Sequence, residues 1–340
     1  MTAKTAQRLS KPDEYAALLD RFDTFLFDCD GVIWTGSTLV PYMIDVLTML
    51  RSKGEYSEFQ LRVLAEELNQ GMTPIGKNIL FVTNNASKSR EMYKKAFDGF
   101  GIQASVDEIF GSAYASAIYL SKILKFPADK KVYVIGQEGI EEELRSVGIH
   151  FTGGTDPEDR VFIPTGDNSS IKNDPSIGAV LCGGDQYINF KKYAKAHTYI
   201  MNNPECEFIL TNGDASYPVA DGTFPGNWWS NLRTYTGLHE ENAYDYRLLL
   251  RLGCLLLITE VNPPCLVPFG SHEFDPKRTI MIGDNLETDI LFGINSNIAT
   301  LLVMTGVTTE SQLIGKHKSD IVPDYIIQSM GDFAVLVDEM

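Results

Sequence analysis

Three apolar runs in this chain end in small polar and acidic residues. Phe25-Leu26-Phe27 runs into Asp28-Cys29-Asp30-Gly31, residues 79–82 into Thr83-Asn84-Asn85, and residues 279–282 into Gly283-Asp284-Asn285. Further runs rich in β-branched and aromatic residues recur at 132–135, 179–181, 208–210 and 299–303. Most are separated by stretches with helix-like spacing, such as Pro41 to Lys53 and Ser87 to Phe100. Strands alternating with helices predict an α/β fold with parallel sheets. Open sheets of that kind bind ligands beyond the carboxyl ends of their strands. The same three strand ends are therefore where a functional site is expected.

The length of 340 residues predicts about two domains, and 44% hydrophobic with 22% charged residues is ordinary for a folded chain. A net charge of −16 argues against nucleic acid or an anionic membrane as partner, since both attract basic surfaces. An anionic substrate would need local positive charge, from a metal ion or from backbone N–H groups. The five cysteines (Cys29, Cys182, Cys206, Cys254, Cys265) have no CxxC pair, which predicts reduced core thiols. The polar first fifteen residues carry no apolar leader segment, and Leu248 to Ile258 is too short to span a bilayer. A cytoplasmic protein is expected.

In Asp28-Cys29-Asp30-Gly31, residues two apart in extended chain project to the same side, so both carboxylates can address one point beyond the strand. Gly31 permits a sharp turn directly afterwards. Two acids this close repel unless a cation or a shared proton lies between them. Mg²⁺ takes oxygen ligands, and Asp284 at the end of a later strand could supply a third carboxylate. A carboxylate so held can also attack phosphorus and form an aspartyl-phosphate. The Thr83 hydroxyl, the Asn84 and Asn85 amides and nearby backbone N–H groups suit phosphate oxygens. A capped turn entering the next helix is the alternative for that segment.

FDCDGVIW (27–34), FVTNNASKSR (81–90) and MIGDNLETDI (281–290), in that order, resemble motifs I, II and IV of the haloacid dehalogenase superfamily of phosphatases. Residues 132–144, 179–190, 209–218 and 301–309 resemble its p-nitrophenylphosphatase and phosphoglycolate phosphatase branch. The resemblance covers most of residues 20–226 and 274–340, with two interruptions. It implies a doubly wound parallel core (1–105 and 255–340) with an inserted α/β cap (106–254) that selects the substrate. It implies Asp28 as nucleophile and Asp30 as the acid that protonates the leaving group and then activates water. Asp28, the backbone carbonyl of Asp30 and Asp284 would hold Mg²⁺, steadied by Asp289. Gly31, Thr83, Asn84 and Asn85 would bind a small phosphorylated metabolite. A homodimer through the cap is a further expectation from the branch, as is a phosphotransferase activity through the same intermediate.

The chain departs from the family in two places. The motif III lysine is missing: no lysine stands between Lys195 and Lys277, and the cations on offer are Arg233, Arg247 and Arg251. Residues 227–273 resemble nothing expected there, and residues 55–76 form an insert whose Phe59, Val63, Leu64 and Leu68 share one helical face. Both are read as products of splicing or gene modelling, a reading that a cDNA encoding both segments as written would remove. Without the lysine a weak phosphatase is expected, or poor folding around residues 227–273, and a catalytically silent homologue that binds phosphorylated ligands is the alternative. Gly71 to Asn78 comes close to a P-loop but precedes a strand, so it is treated as chance. The five histidines are dispersed and predict no metal site. Trp228-Trp229 reads as core packing rather than a cap pocket. Tyr187, Asn189, Asn212 and Asp214 would face substrate by resemblance, with turns as the alternative.

Overall fold

The computed structural model describes residues 5–52, 76–164, 167–212, 216–219, 222–225, 275–315 and 318–337. The segments 55–75 and 227–273, with Trp228, Trp229, Asp214 and the three arginines, lie outside the described residues. The chain divides into two compact units, residues 1–82, 98–103 and 272–340 forming one and residues 83–97 and 104–271 the other.

The first unit carries β1 (Gln7–Arg8), β2 (Thr24–Asp28), the short pair β3 (Trp34–Thr35) and β4 (Thr38–Leu39), and all but the last residue of β5 (Asn78–Thr83). The second contributes β6 (Ile109–Gly111), β7 (Lys131–Ile135), β8 (Phe151–Gly153), β9 (Ile177–Cys182), β10 (Glu207–Leu210), β11 (Ser216–Val219) and β12 (Gly222–Pro225). Then β13 (Thr279–Gly283), β14 (Ala299–Val303) and β15 (Tyr325–Ile327) return to the first unit.

In the first unit the strands run β1-β15-β14-β13-β2-β5, and every pairing among them is parallel. All five residues of β2 and all five of β13 are buried. A parallel sheet covered on both faces needs apolar residues at consecutive positions, which is why these strands read as unbroken hydrophobic runs. Phe27 pairs with Ile282 and Asp28 with Val82. That register brings the carboxyl ends of β13 and β2 level, so the residues that follow those two strands emerge side by side. The helices Pro12–Arg21 and Met43–Ser52 bury Leu18, Leu19, Val46, Leu47 and Leu50.

The second unit has a four-stranded parallel sheet in the order β10-β9-β7-β8, with β11 and β12 as a separate antiparallel pair. Alternation along β7 and β9 splits its core into two layers. Val132, Val134, Ala179 and Leu181 pack with Ala113, Ala117, Ile140 and Leu144 of the helices Ser112–Ile118 and Glu138–Ser146. Tyr133, Ile135, Val180 and Cys182 pack on the other side with Ala196 and Tyr199 of the helix Phe190–Asn202. Cys29, Cys182 and Cys206 are all outside disulfides, the first two buried. No helix of the described residues is long and apolar enough to cross a membrane.

One exposed ion pair gives the first unit a pH-dependent contact. The Arg278 guanidinium bonds Asp23 through Nε and Nη2 and, with Lys77 nearby, holds the Asp23 carboxyl below the usual carboxylate range. A depressed carboxylate contributes stability above its unfolded pKa and loses it as pH falls through the folded value. Both side chains are more than a third exposed, 45% and 40%, so solvent screens the pair. Arg278→Ala is expected to cost at most about 1 kcal/mol at pH 7 and almost nothing near pH 3, read as a gap in melting temperature that closes on acidification.

Candidate active site

Asp28 is the last residue of β2 and Asp284 follows directly on β13, and the shared register of the two strands brings them together. Asp289 reaches the same point from the helical turn Leu286–Ile290. One carboxylate oxygen from each of Asp28, Asp284 and Asp289 lies within 4.8 Å of the others, and all three residues are buried. Burial pushes the Asp28 carboxyl well above the ordinary range, and the charges of Asp289, Asp284 and Asp30 push it further. Three buried oxygen donors that penalise each other's charge fit a hard divalent cation such as Mg²⁺, which would remove the repulsion and satisfy the oxygens.

Asp289 and Asp284 are held by different devices. The Oδ2 of Asp289 accepts the backbone N–H groups of Asp284 and Asn285, both at 3.0 Å, which folds the loop after β13 around it. Gly283 makes room for this: a Cβ there would stand 2.0 Å from the Asp289 Cβ. Gly31 has φ +91°, and a Cβ on it would lie 2.6 Å from Asp284 Oδ2. The sequence suggested glycine at this position for its sharp turn; the close approach of Asp284 is a second requirement that only the fold reveals.

Asp30 is placed differently. Its carboxylate accepts a hydrogen bond from the Trp34 indole Nε1 at 2.9 Å, and its side chain is not among the three clustered carboxylates. Trp34 stands four residues after Asp30, a spacing that by itself carries no signal for this contact. Thr83, Asn84 and Asn85 form a tight turn: the Asn85 N–H donates to Thr83 Oγ1 at 3.2 Å and the Ser87 N–H to Asn85 Oδ1 at 3.1 Å. The Ser112 hydroxyl donates to the Asn84 carbonyl and the Tyr93 hydroxyl to that of Asn85. In the second unit Asn189 is a helix cap, its Oδ1 accepting from the Lys192 N–H at 3.1 Å and its Nδ2 donating to the Asp159 carbonyl. Tyr187 is 53% exposed beneath the Arg160 guanidinium.

Comparison with known proteins fits this geometry. A family model described as haloacid dehalogenase-like hydrolase matches residues 25–150, and a second, HAD-hydrolase-like model matches residues 265–333. The 4-nitrophenylphosphatase of Schizosaccharomyces pombe is 39% identical over 332 residues, covering 97% of this chain and 99% of that protein. The chain belongs to the haloacid dehalogenase-like hydrolases. Phosphoglycolate phosphatase 2 of Arabidopsis thaliana is 37% identical, covering 98% of this chain and 99% of the relative. Among solved structures, the p-nitrophenyl phosphatase of Archaeoglobus fulgidus superposes with a TM-score of 0.65 at 25% identity, over 94% of this chain and 99% of that one. Within the family this haloacid dehalogenase-like hydrolase is a phosphatase, as these relatives are.

Proposed function

We propose that this chain is a Mg²⁺-dependent phosphomonoester hydrolase that works through an aspartyl-phosphate on small phosphorylated metabolites. The observation that carries the proposal is the buried group of Asp28, Asp284 and Asp289 at neighbouring strand ends. Relatives named for 4-nitrophenyl phosphate, phosphoglycolate and glycerol 3-phosphate support substrates of that size. In this reading Asp28 attacks phosphorus and the P–O bond to the leaving alcohol breaks. Asp30, oriented by the Trp34 indole, gives that alcohol its proton. Asp30 then takes a proton from water, which hydrolyses the phosphoaspartate and returns Asp28. Thr83, Asn84 and Asn85 receive the phosphoryl oxygens. A bound Mg²⁺ would supply charge neutralisation and alignment, held by Asp28, Asp284 and the Asp30 carbonyl, with Asp289 steadying the loop that carries Asp284.

The chain lacks a lysine between residues 195 and 277, so the charge on Asp28 and the phosphoryl group is under-compensated. Loss of one such electrostatic group costs about 10²–10³ in turnover. The same absence favours a second reading, a silent homologue that binds phosphorylated ligands. A panel of small phosphomonoesters assayed with Mg²⁺ and with EDTA tests both. Slow, Mg²⁺-dependent phosphate release is expected, about 10²–10³ below the S. pombe relative measured alongside. Equal rates would remove the role given to the lysine. Beryllium fluoride trapping at Asp28 with no turnover would favour the silent homologue. Acceptor alcohols that shift the product ratio would point to phosphotransfer.

A further inference from the structure

We propose that Thr305-Gly306-Val307, the loop after β14, is a positioning strap that sets the direction of the Asp284 carboxylate and ties it to the Gly31 turn. The proposal rests on the reading of the acidic group as a cation site. In the sheet β13 lies between β14 and β2. The strap starts from β14, passes the tip of β13 and reaches the tip of β2. At its first residue the Thr305 hydroxyl donates to the Gly31 carbonyl at 2.5 Å. At its last the Val307 N–H donates to Asp284 Oδ2 at 2.7 Å, and the next residue, Thr308, donates its N–H to the Asp284 carbonyl at 3.1 Å. The Gly31 N–H donates to the Trp34 carbonyl at 2.6 Å, so the turn after Asp30 is held from both sides.

The middle residue makes the contact possible. A Cβ on Gly306 would stand 1.6 Å from Asp284 Oδ2 and 2.3 Å from its Cγ. Gly306 does not adopt the left-handed conformation that glycine is usually kept for, so the reason for glycine here is the approach of the carboxylate. One Asp284 oxygen is thus packed against two glycines and bonded to a backbone N–H. Fixing one oxygen fixes the carboxylate plane and hence the direction of the other. Groups that orient a metal ligand without touching the metal typically change affinity 10–100-fold when removed. Thr305, Gly306 and Val307 are positioning residues: in the proposed mechanism none of them touches substrate.

The test uses the full chain carrying Thr305→Val, Thr305→Ser or Gly306→Ala. Mg²⁺ binding is measured by calorimetry and by the melting-temperature rise that Mg²⁺ produces, with turnover of p-nitrophenyl phosphate at saturating Mg²⁺ as a second readout. Thr305→Val and Gly306→Ala are expected to weaken Mg²⁺ binding about 10–100-fold, with Thr305→Ser close to wild type. The melting temperature in EDTA should move little in Thr305→Val, which separates positioning from a general loss of structure. Should Gly306→Ala fail to fold, Thr305→Val decides. Mg²⁺ affinity within threefold of wild type in Thr305→Val overturns the strap and leaves the cation site standing. A wild-type chain that binds no Mg²⁺ overturns the cation site, and the strap falls with it.

Discussion

With asparagine in place of Asp28, turnover of p-nitrophenyl phosphate is expected to fall by at least about 10³-fold, because a neutral amide cannot attack phosphorus. The wild-type rate is itself expected to be low, so single-turnover assays at high enzyme concentration are the suitable measurement. The same substitution has a second, opposite effect on stability. In the folded chain burial and the charges of Asp289, Asp284 and Asp30 raise the Asp28 carboxyl. A raised acid favours folding below its unfolded pKa, and that contribution is lost as pH rises through the folded value. At neutral pH in EDTA, Asp28→Asn therefore relieves buried charge repulsion, and its melting temperature should exceed that of the wild type. Adding Mg²⁺ should raise the wild type more than the variant. Full turnover in Asp28→Asn would remove Asp28 as the nucleophile, and a lower melting temperature in EDTA would contradict the repulsion among the carboxylates.

The second large effect lies in the second unit. Lys192 is completely buried on the helix Phe190–Asn202, and its ammonium donates to Asp185 Oδ2 at 2.5 Å and to the Gly154 carbonyl at 2.9 Å. The Asp185 side chain is only 2% exposed. Taking away the lysine strands a carboxylate where water cannot reach it, and breaking a buried pair in this way costs about 3–5 kcal/mol. Lys192→Ala is expected to show that loss in urea unfolding of the full chain, or as faster amide exchange along β7 and β9. Replacing both partners with apolar residues, Lys192→Met with Asp185→Leu, removes the stranded charge and should recover most of the loss. If Lys192→Ala unfolds at the same urea concentration as wild type, the pair contributes little and its carboxylate is hydrated in some other way.

Lys192 also marks where reading the sequence stops. Nothing local marks Lys191 and Lys192 as buried; partners 7 to 38 residues away come to meet them. Asn189, two residues after Tyr187 in a stretch resembling a substrate loop, is a helix cap whose amide also fastens the Asp159 carbonyl. By contrast the strands at 25–27, 79–82, 132–135, 179–181, 208–210, 279–282 and 299–303 all lie inside observed strands. Their signal is local: a buried parallel strand must be apolar at every position, so it is written in consecutive residues. The two-residue β1 and three-residue β8 and β15 carry too few residues for such a signal.

The amino-acid order by itself determined the alternation of strand and helix and which strands end in acid, because both depend on neighbours along the chain. Parallel register then decided that Asp28 and Asp284, 256 positions apart, share one point, and the turn at Leu286–Ile290 added Asp289 to them. Only the tertiary structure laid Gly306 against Asp284, because that contact depends on the distance between two segments that no local pattern encodes.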